Sequence, residues 1–152
     1  MLRTKPPFRA DHVGSFLRPK ALHEARAKKA KGEITQAQLK EVEDAEIIKL
    51  IKKQEDAGLK GITDGEFRRS WWHLDFLWGL DGAEYHNMKQ GIHFAAVDTR
   101  ADGVQITGKL DMKGPHPMVE DFKFVKDHTN QTPKITIDRK STRLNSSHTD
   151  IS

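Results

Sequence analysis

Residues 61–79, which read GITDGEFRRSWWHLDFLWG, decide the fold. They begin with a short run typical of a strand, GITD at 61–64, and then turn at Gly65 into a segment crowded with aromatic and charged side chains. In parallel α/β folds, side chains just beyond the C-terminal end of a strand lie on the ligand-binding side. We therefore expect Glu66, which follows this strand, to lie at a binding site.

An earlier segment has the same character. Residues 11–19, DHVGSFLRP, predict a short strand around Val13 that breaks into a loop at Gly14 and Ser15. A long helical region separates this strand from 61–64, and a strand–helix–strand order predicts two parallel strands with the helix packed outside. The fold class predicted from the pattern is therefore α/β.

Two helices are predicted between these strands. Residues 20–31 favour a helix by propensity, and Gly32 is a suitable end. Thr35 and Gln38 then stand in capping-box spacing, and Gly58 suits the position after a helix C-terminus. Leu39, Val42, Leu50 and Ala57 are predicted to share an apolar face of this second helix, with Ile47 and Ile51 beside it and Glu43 and Glu46 interrupting it, and which face is buried stays open.

Downstream of the tryptophans the pattern is weaker. Residues 91–112 predict a hairpin around the turn signal Asp102-Gly103, residues 118–128 a helix, and residues 133–137, PKITI, a third strand. The final stretch, RKSTRLNSSHTDIS, is polar and carries no helix signal. We predict one partial domain over 1–138 and a non-native or disordered tail over 139–152.

Composition excludes several classes of protein. Of the net charge of +4 over 152 residues, only +2 belongs to residues 1–138, which argues against a small nucleic-acid-binding module built on Arg68, Arg69 and the tryptophans. The chain has no cysteine, no apolar run long enough to span a membrane and no signal-peptide pattern. We expect a soluble, cytoplasmic protein with no nucleic-acid or membrane partner.

The residues themselves suggest a ligand, with a plain alternative beside it. Amide and hydroxyl groups at Gly14 and Ser15 opposite a carboxylate at Glu66 are what an α-amino acid requires, but the same residues are also typical of turns and caps. We expect Arg68 or Arg69 to pair with a nearby acid, Asp64, Glu66 or Asp75. The large aromatics at 71–78 suit either a core or a pocket wall. His73 and Asp75 match no zinc signature, and the histidines expected at the surface or in loops are His12, His86, His93, His116 and His128.

Several segments together resemble a known family. HVGSFLRP at 12–19, AGLKGITDGEFRRSWWHLDFLWGL at 57–80 and GKLDMKGPHPMVEDFKFVKDHTNQTPKITI at 108–137 look like the methionine-synthase family that works without cobalamin. They are most similar to its short relatives, which match its catalytic C-terminal barrel. The resemblance covers 8–137 and implies a methionine synthase/uroporphyrinogen decarboxylase-like (β/α)₈ barrel, of which about three strands would be present.

The resemblance implies a homocysteine S-methyltransferase, which transfers a methyl group from methyltetrahydrofolate to homocysteine. The family motif that binds the amino-acid end of homocysteine falls on Val13, Gly14 and Ser15, and Glu66 would hold the amino group. Asp64 stands where the family usually has histidine. Two further sets of residues are implied: Arg100 as the counterpart of a folate-binding arginine, and Trp71, Trp72 and His73 as the pocket wall.

The resemblance also implies a zinc ion that holds the thiol as the nucleophilic thiolate. The family's zinc ligands, a histidine, two cysteines and an acidic residue, come from later strands, so this chain is expected to bind no zinc and to transfer no methyl group by itself. Two alternatives within the family stay open: another thiol such as coenzyme M as acceptor, and a methylated corrinoid protein as donor.

Overall fold

The computed structural model of the chain describes residues 4–89, 91, 93–94, 97–98 and 100–137, so the predicted tail 139–152 lies outside the described residues. The elements in chain order are α1 Lys20–Ala30, α2 Gln36–Asp56, β1 Gly61–Ile62, α3 Leu74–Trp78, β2 Asp81–Asn87, β3 His93–Phe94, β4 Val97–Asp98, β5 Asp102–Asp111, α4 Pro117–His128 and β6 Thr132–Pro133. They form two compact units. One contains the chain up to Arg69 together with Val119–Thr136, and the other contains Ser70–Met118.

Both helices predicted between the segments 11–19 and 61–64 are confirmed. The Thr35 hydroxyl accepts a hydrogen bond from the Gln38 amide at 3.2 Å, and the Gln38 side chain accepts one from the Thr35 amide at 2.8 Å. Gly32 and Gly58 follow α1 and α2 with positive φ of 75° and 82°. Because these signals are local, the ends of both helices follow from the sequence.

The stripe that α2 buries differs from the predicted one. Its buried residues are Leu39, Glu43, Ile47, Leu50, Ile51 and Gln54, which are three or four positions apart except for the adjacent Leu50 and Ile51. Ala57, predicted on the same apolar face as Leu39 and Leu50, is exposed, and Val42 is half-buried. Glu43 and Gln54 are tolerated inside because each has partners: Glu43 faces two arginines, and Gln54 exchanges two hydrogen bonds with the Thr63 backbone.

The predicted strand within 11–19 is wrong as a strand. The segment is not assigned to any strand, and Val13 is 81% exposed. Within the described residues, one backbone hydrogen bond, from the Phe16 amide to the Gly65 carbonyl at 3.1 Å, joins it to the loop after β1, which is too little for a ladder.

The parallel pair of this unit is instead formed by β1 and β6, with Gly61 opposite Thr132 and Ile62 opposite Pro133. The third strand predicted over 133–137 is therefore shorter and begins one residue earlier. The helix predicted over 118–128 is confirmed as α4. The first unit thus combines helices with a short parallel pair, as an α/β fold requires.

The hairpin of the second unit differs from its prediction. β2 pairs with β5, and Asn87 lies opposite Asp102, so Asp102-Gly103 begins a strand instead of forming the turn. The short strands β3 and β4 pair within the connection. β2 was missed because DGAEYHN is mostly polar and exposed, and it lacks the alternation of a half-buried strand.

Two further findings concern burial. His116, expected at the surface or in a loop, lies in the loop before α4 but is buried: it is 4% exposed, accepts a hydrogen bond from the Met118 amide at 3.1 Å and lies 2.8 Å from the Phe76 carbonyl. His12 is half-buried and stacks on Phe16. In the described part of the chain, no helix is long and apolar enough to cross a bilayer.

Candidate functional site

The loop after β1 is a tight turn that its own side chains build. The Thr63 hydroxyl accepts the Gly65 amide at 2.8 Å, and the Asp64 carboxylate accepts the Glu66 amide at 2.9 Å. Gly65 and Glu66 both have positive φ, 68° and 58°. A non-glycine residue in this region costs about 1–2 kcal/mol, so the left-handed Glu66 is held there by its surroundings.

The Val13–Ser15 loop lies beside this turn. The hydrogen bond from the Phe16 amide to the Gly65 carbonyl fixes the residue after Ser15 against the residue before Glu66. Gly14 has a φ of 85°, which permits the sharp bend, and Ser15 is exposed. The two segments that the sequence predicted as a cradle and an acid are therefore neighbours.

The Glu66 carboxylate faces Arg69. Both residues are 4% exposed, and Glu66 Oε1 lies 3.7 Å from Arg69 Nη1. The prediction that Arg68 or Arg69 pairs with a nearby acid is confirmed for Arg69, which also donates to the Thr136 carbonyl. At 3.7 Å the contact is longer than a charge-assisted hydrogen bond. Arg69 therefore offsets the negative charge of the carboxylate but does not use up its capacity to accept hydrogen bonds.

Arg68 has a different role from Arg69. It binds Asp44 at 2.6 Å and Asp121 at 3.0 Å, lies 3.6 Å from Glu43, and stands over the Phe124 ring. Burial raises the pKa of the Glu43 and Asp121 carboxyls, against the effect of Arg68. Burial by itself would also raise the pKa of the Asp44 carboxyl, but hydrogen bonds from Lys40 and Arg68 outweigh this effect and lower that pKa. This network joins α2, the turn and α4.

The other predicted site residues lie in the second unit. The Trp71 indole donates to Asp102 at 2.7 Å, Arg100 lies 3.2 Å from Asp102, and its guanidinium stands 5.1 Å from the Trp71 ring centre. Trp72 is 51% exposed and contacts His73. The core interpretation of these aromatics is thus wrong for Trp72, and the pocket-wall interpretation stays a prediction.

An open groove of about 300 Å³ lies in the first unit, between the segment after Ser15 and α2. It is lined by Phe16, Leu17, Pro19, Glu46, Lys49, Leu50, Lys53, Gln54, Ala57, Leu59 and Phe67. Neither Ser15 nor Glu66 belongs to this lining, but their chain neighbours Phe16 and Phe67 do, so the groove adjoins the candidate site.

A zinc site does not fit the residues that the structure describes. Among them, no group of three or more histidine, cysteine, aspartate or glutamate side chains is arranged to hold a metal ion. The chain also contains no cysteine at all. Zinc chemistry is therefore not built from these residues.

Comparison with known proteins identifies the family. Residues 8–131 match the family model described as the catalytic domain of cobalamin-independent synthase. The uncharacterized protein YxjG of Bacillus subtilis is 51% identical over 136 residues, which are 89% of this chain and 36% of that protein. A 5-methyltetrahydropteroyltriglutamate–homocysteine methyltransferase from a Synechococcus strain is 32% identical, over 92% of this chain and 18% of its own length.

A solved structure agrees with these matches. The crystal structure of a Listeria monocytogenes protein named as a vitamin-B12-independent methionine synthase superposes with a TM-score of 0.73 at 43% identity, and covers 91% of this chain and 38% of that one. The chain thus spans about a third of the length of its more similar relatives. The α/β fold is confirmed as part of a larger barrel, and the chain belongs to the cobalamin-independent methionine synthase family.

Proposed function

We propose that the Val13–Ser15 loop and Glu66 bind the amino-acid end of homocysteine, in a protein whose full length catalyses methyl transfer to the homocysteine thiol. The observation that carries this proposal is the backbone hydrogen bond from Phe16 to Gly65, because it sets the two segments side by side. The names of the relatives, which include homocysteine methyltransferases, supply the reaction class.

The chemistry of the two segments suits a zwitterion. Backbone amides at Gly14 and Ser15 and the Ser15 hydroxyl donate to a carboxylate, whereas the Glu66 carboxylate accepts from an ammonium group. Glu66 is 4% exposed, so its contact with an ammonium group is screened less than in water. Arg69 keeps the acid balanced when the ligand is absent.

We assign the methyl-transfer step to the longer protein. Zinc activation of the thiol and its cysteine ligands are implied by the family likeness and would come from segments that this chain does not contain. The 152-residue chain alone is therefore proposed to bind no zinc and to form no methionine. Zinc near one equivalent per purified chain, measured by atomic emission, would contradict this.

The methyl donor is proposed to be methyltetrahydrofolate, as the Synechococcus relative's name indicates. Arg100 is the proposed folate contact, since its side chain is 59% exposed and its guanidinium can bind a carboxylate of the donor. Trp71, Trp72 and His73 are the proposed pocket wall.

The reaction is proposed to be cytoplasmic.

Isothermal titration of the chain with L-homocysteine tests the proposal. Wild type should bind, whereas Glu66→Gln and Ser15→Ala should bind at least about tenfold more weakly, the loss expected for one charge-assisted hydrogen bond. Glu24→Gln, which changes an exposed carboxylate on α1, is the matched control. Coenzyme M has no ammonium group, so equal binding of coenzyme M and homocysteine, or an unaffected Glu66→Gln variant, would refute the assignment.

A further inference from the structure

We propose that Arg18 and Arg26 are positioning residues for Glu66: their guanidinium groups bind the carbonyl oxygens of the turn that carries Glu66 and so fix the direction of its carboxylate. The inference rests on the proposed function for its ligand. It gives a role to Arg18, the charged residue of the HVGSFLRP motif, which homocysteine binding leaves unexplained.

The contacts are dense for so short a turn. Arg18 Nη2 donates to the Glu66 and Arg69 carbonyls, both at 2.9 Å. Arg26 donates to the Arg69 carbonyl at 3.0 Å and to the Phe67 carbonyl at 2.6 Å. Four charged hydrogen bonds therefore hold three carbonyl oxygens within four residues.

The turn needs such support because its conformation is unfavourable in isolation. Glu66 has a φ of 58°, which an L-residue other than glycine rarely adopts. Were residue 66 to relax to negative φ, its carbonyl and its side chain would both change direction. A guanidinium bound to the Glu66 carbonyl opposes that change and keeps the carboxylate in its observed direction, facing Arg69.

Each arginine is itself anchored elsewhere. Arg18 lies three residues after Ser15, so it ties the two halves of the proposed site together. Arg26 projects from α1 and lies 3.8 Å from the buried Glu43 of α2. Helix α1 therefore determines where the Arg26 guanidinium lies, the segment after Ser15 determines where that of Arg18 lies, and both guanidinium groups bind the turn.

Amide hydrogen exchange on the full 152-residue chain tests the positioning directly. In Arg18→Met, which keeps the length of the side chain but loses its donors, the amides of Glu66 and Arg69 should exchange about tenfold faster, the size expected for losing a hydrogen bond to a charged group. Arg18→Lys, which keeps a donor and the charge, should restore part of the protection. The exposed Arg9 gives the matched control, Arg9→Ala, which should exchange like wild type.

The exchange rates distinguish a local loss of support at the turn from a general loosening of the fold. Leu39, whose amide bonds within the start of α2, reports on general loosening of the fold. Unchanged rates at Glu66 and Arg69 in Arg18→Met, or equal acceleration at Leu39, would overturn the proposal.

Ligand titration separates this inference from the proposed function. In Arg18→Met, homocysteine should bind about tenfold more weakly, whereas 4-mercaptobutanoate, which lacks the amino group, should bind as it does to wild type. Full homocysteine affinity in Arg18→Met would overturn the positioning role. If wild type binds no homocysteine, the proposed function fails, and the exchange rates alone decide whether the arginines fix Glu66.

Discussion

The turn at Gly65-Glu66 shows how single residues set the candidate site. Two successive positive φ values reverse the chain directly after β1, and the side chains of Thr63 and Asp64 close the turn from within. Such strain is found at functional sites more often than elsewhere, because surrounding contacts must hold it in place. At Glu66 those contacts are the guanidinium groups of Arg18 and Arg26.

Position 65 requires glycine because its φ is positive and because a Cβ would clash with a neighbouring side chain, and a comparison with Gly58 separates these two effects. A Cβ there would lie 2.4 Å from Leu50 Cδ2, whereas a Cβ at Gly58, also at positive φ, would meet nothing within 4 Å. Gly58→Ala should lower the free energy of unfolding by about 1–2 kcal/mol. Gly65→Ala should lower it by about 2–4 kcal/mol, because overpacking adds to the backbone cost. Urea unfolding measures both, and equal losses would show that the turn is not packed against α2.

The buried carboxyl of Glu43 should give the fold a particular pH dependence. Burial raises its pKa in the folded chain above the ordinary 4.5, so the native state holds the proton more firmly than the unfolded state. The stabilisation is therefore present below pH 4.5 and is lost as pH rises toward the native pKa, with a slope of at most about 1.4 kcal/mol per pH unit. In Glu43→Gln the part of this loss that is due to Glu43 should vanish, and the part due to Asp121, whose pKa burial also raises, should remain.

Urea unfolding between pH 4 and 7 measures the difference. Asp44 has a lowered pKa, so the stability that it contributes is lost only as the pH falls below its ordinary pKa of 3.8. That loss lies outside this window. Glu24→Gln, with an exposed carboxylate, should run parallel to wild type. A Glu43→Gln curve parallel to wild type would disprove the link between burial and pH dependence.

Among the elements, α2 is the one whose ends the chain specifies most completely. Its capping box satisfies two backbone groups at the start, and Gly58 adopts the left-handed conformation after its end. Its buried face carries polar as well as apolar residues, with Glu43 and Gln54 paired across to other segments.

The capping box predicts a small and specific stability change. Thr35→Ala removes the oxygen that accepts the Gln38 amide, so the free energy of unfolding should fall by about 1 kcal/mol. Thr35→Ser keeps the hydroxyl and should stay within about 0.5 kcal/mol of wild type. Thermal and urea unfolding both report the change. If alanine and serine behave alike, the cap contributes nothing.

Elements with local signals could be predicted from the sequence, and elements that depend on distant partners could not. The ends of α1 and α2 follow from Thr35, Gly32 and Gly58. The pairing of β2 with β5 could not be predicted from the sequence, because β2 is mostly polar and exposed. The Asp102-Gly103 pair, which suggested a turn, lies in a strand. Strand pairing is decided by residues far apart in the chain.

The site divides in the same way. The loop at Gly14-Ser15 and the acid at Glu66 were predicted from their places after two predicted strands, of which only the second is a strand, and the structure brings their segments together. The left-handed conformation of Glu66 and the hydrogen bond from Arg18 to its carbonyl were not predicted. Backbone strain and long-range side-chain hydrogen bonds leave no local pattern in the sequence.

At the scale of the whole molecule, few apolar side chains of the described residues are buried, as the polar composition predicts. In the first unit the core consists of Leu22, Ala25, Leu39, Ile47, Leu50, Ile51, Ile62, Phe67 and Val125. Most of these residues come from α1, α2 and the turn that carries Glu66. The same contacts that keep this unit folded therefore also support the proposed site, and a core substitution should act on both.

Two adjacent isoleucines of α2 test where this core lies. Ile47 is fully buried and Ile48 is 43% exposed, so the same deletion of one methylene has different consequences. Ile47→Val should lower the free energy of unfolding by about 0.5–1.5 kcal/mol, because the lost transfer energy is joined by a small cavity. Ile48→Val should change it by less than about 0.5 kcal/mol. Urea unfolding of both variants, followed by far-ultraviolet circular dichroism, measures the difference. A larger loss in Ile48→Val than in Ile47→Val would mean that α2 packs on its opposite face and that the turn at Glu66 lacks the support described above.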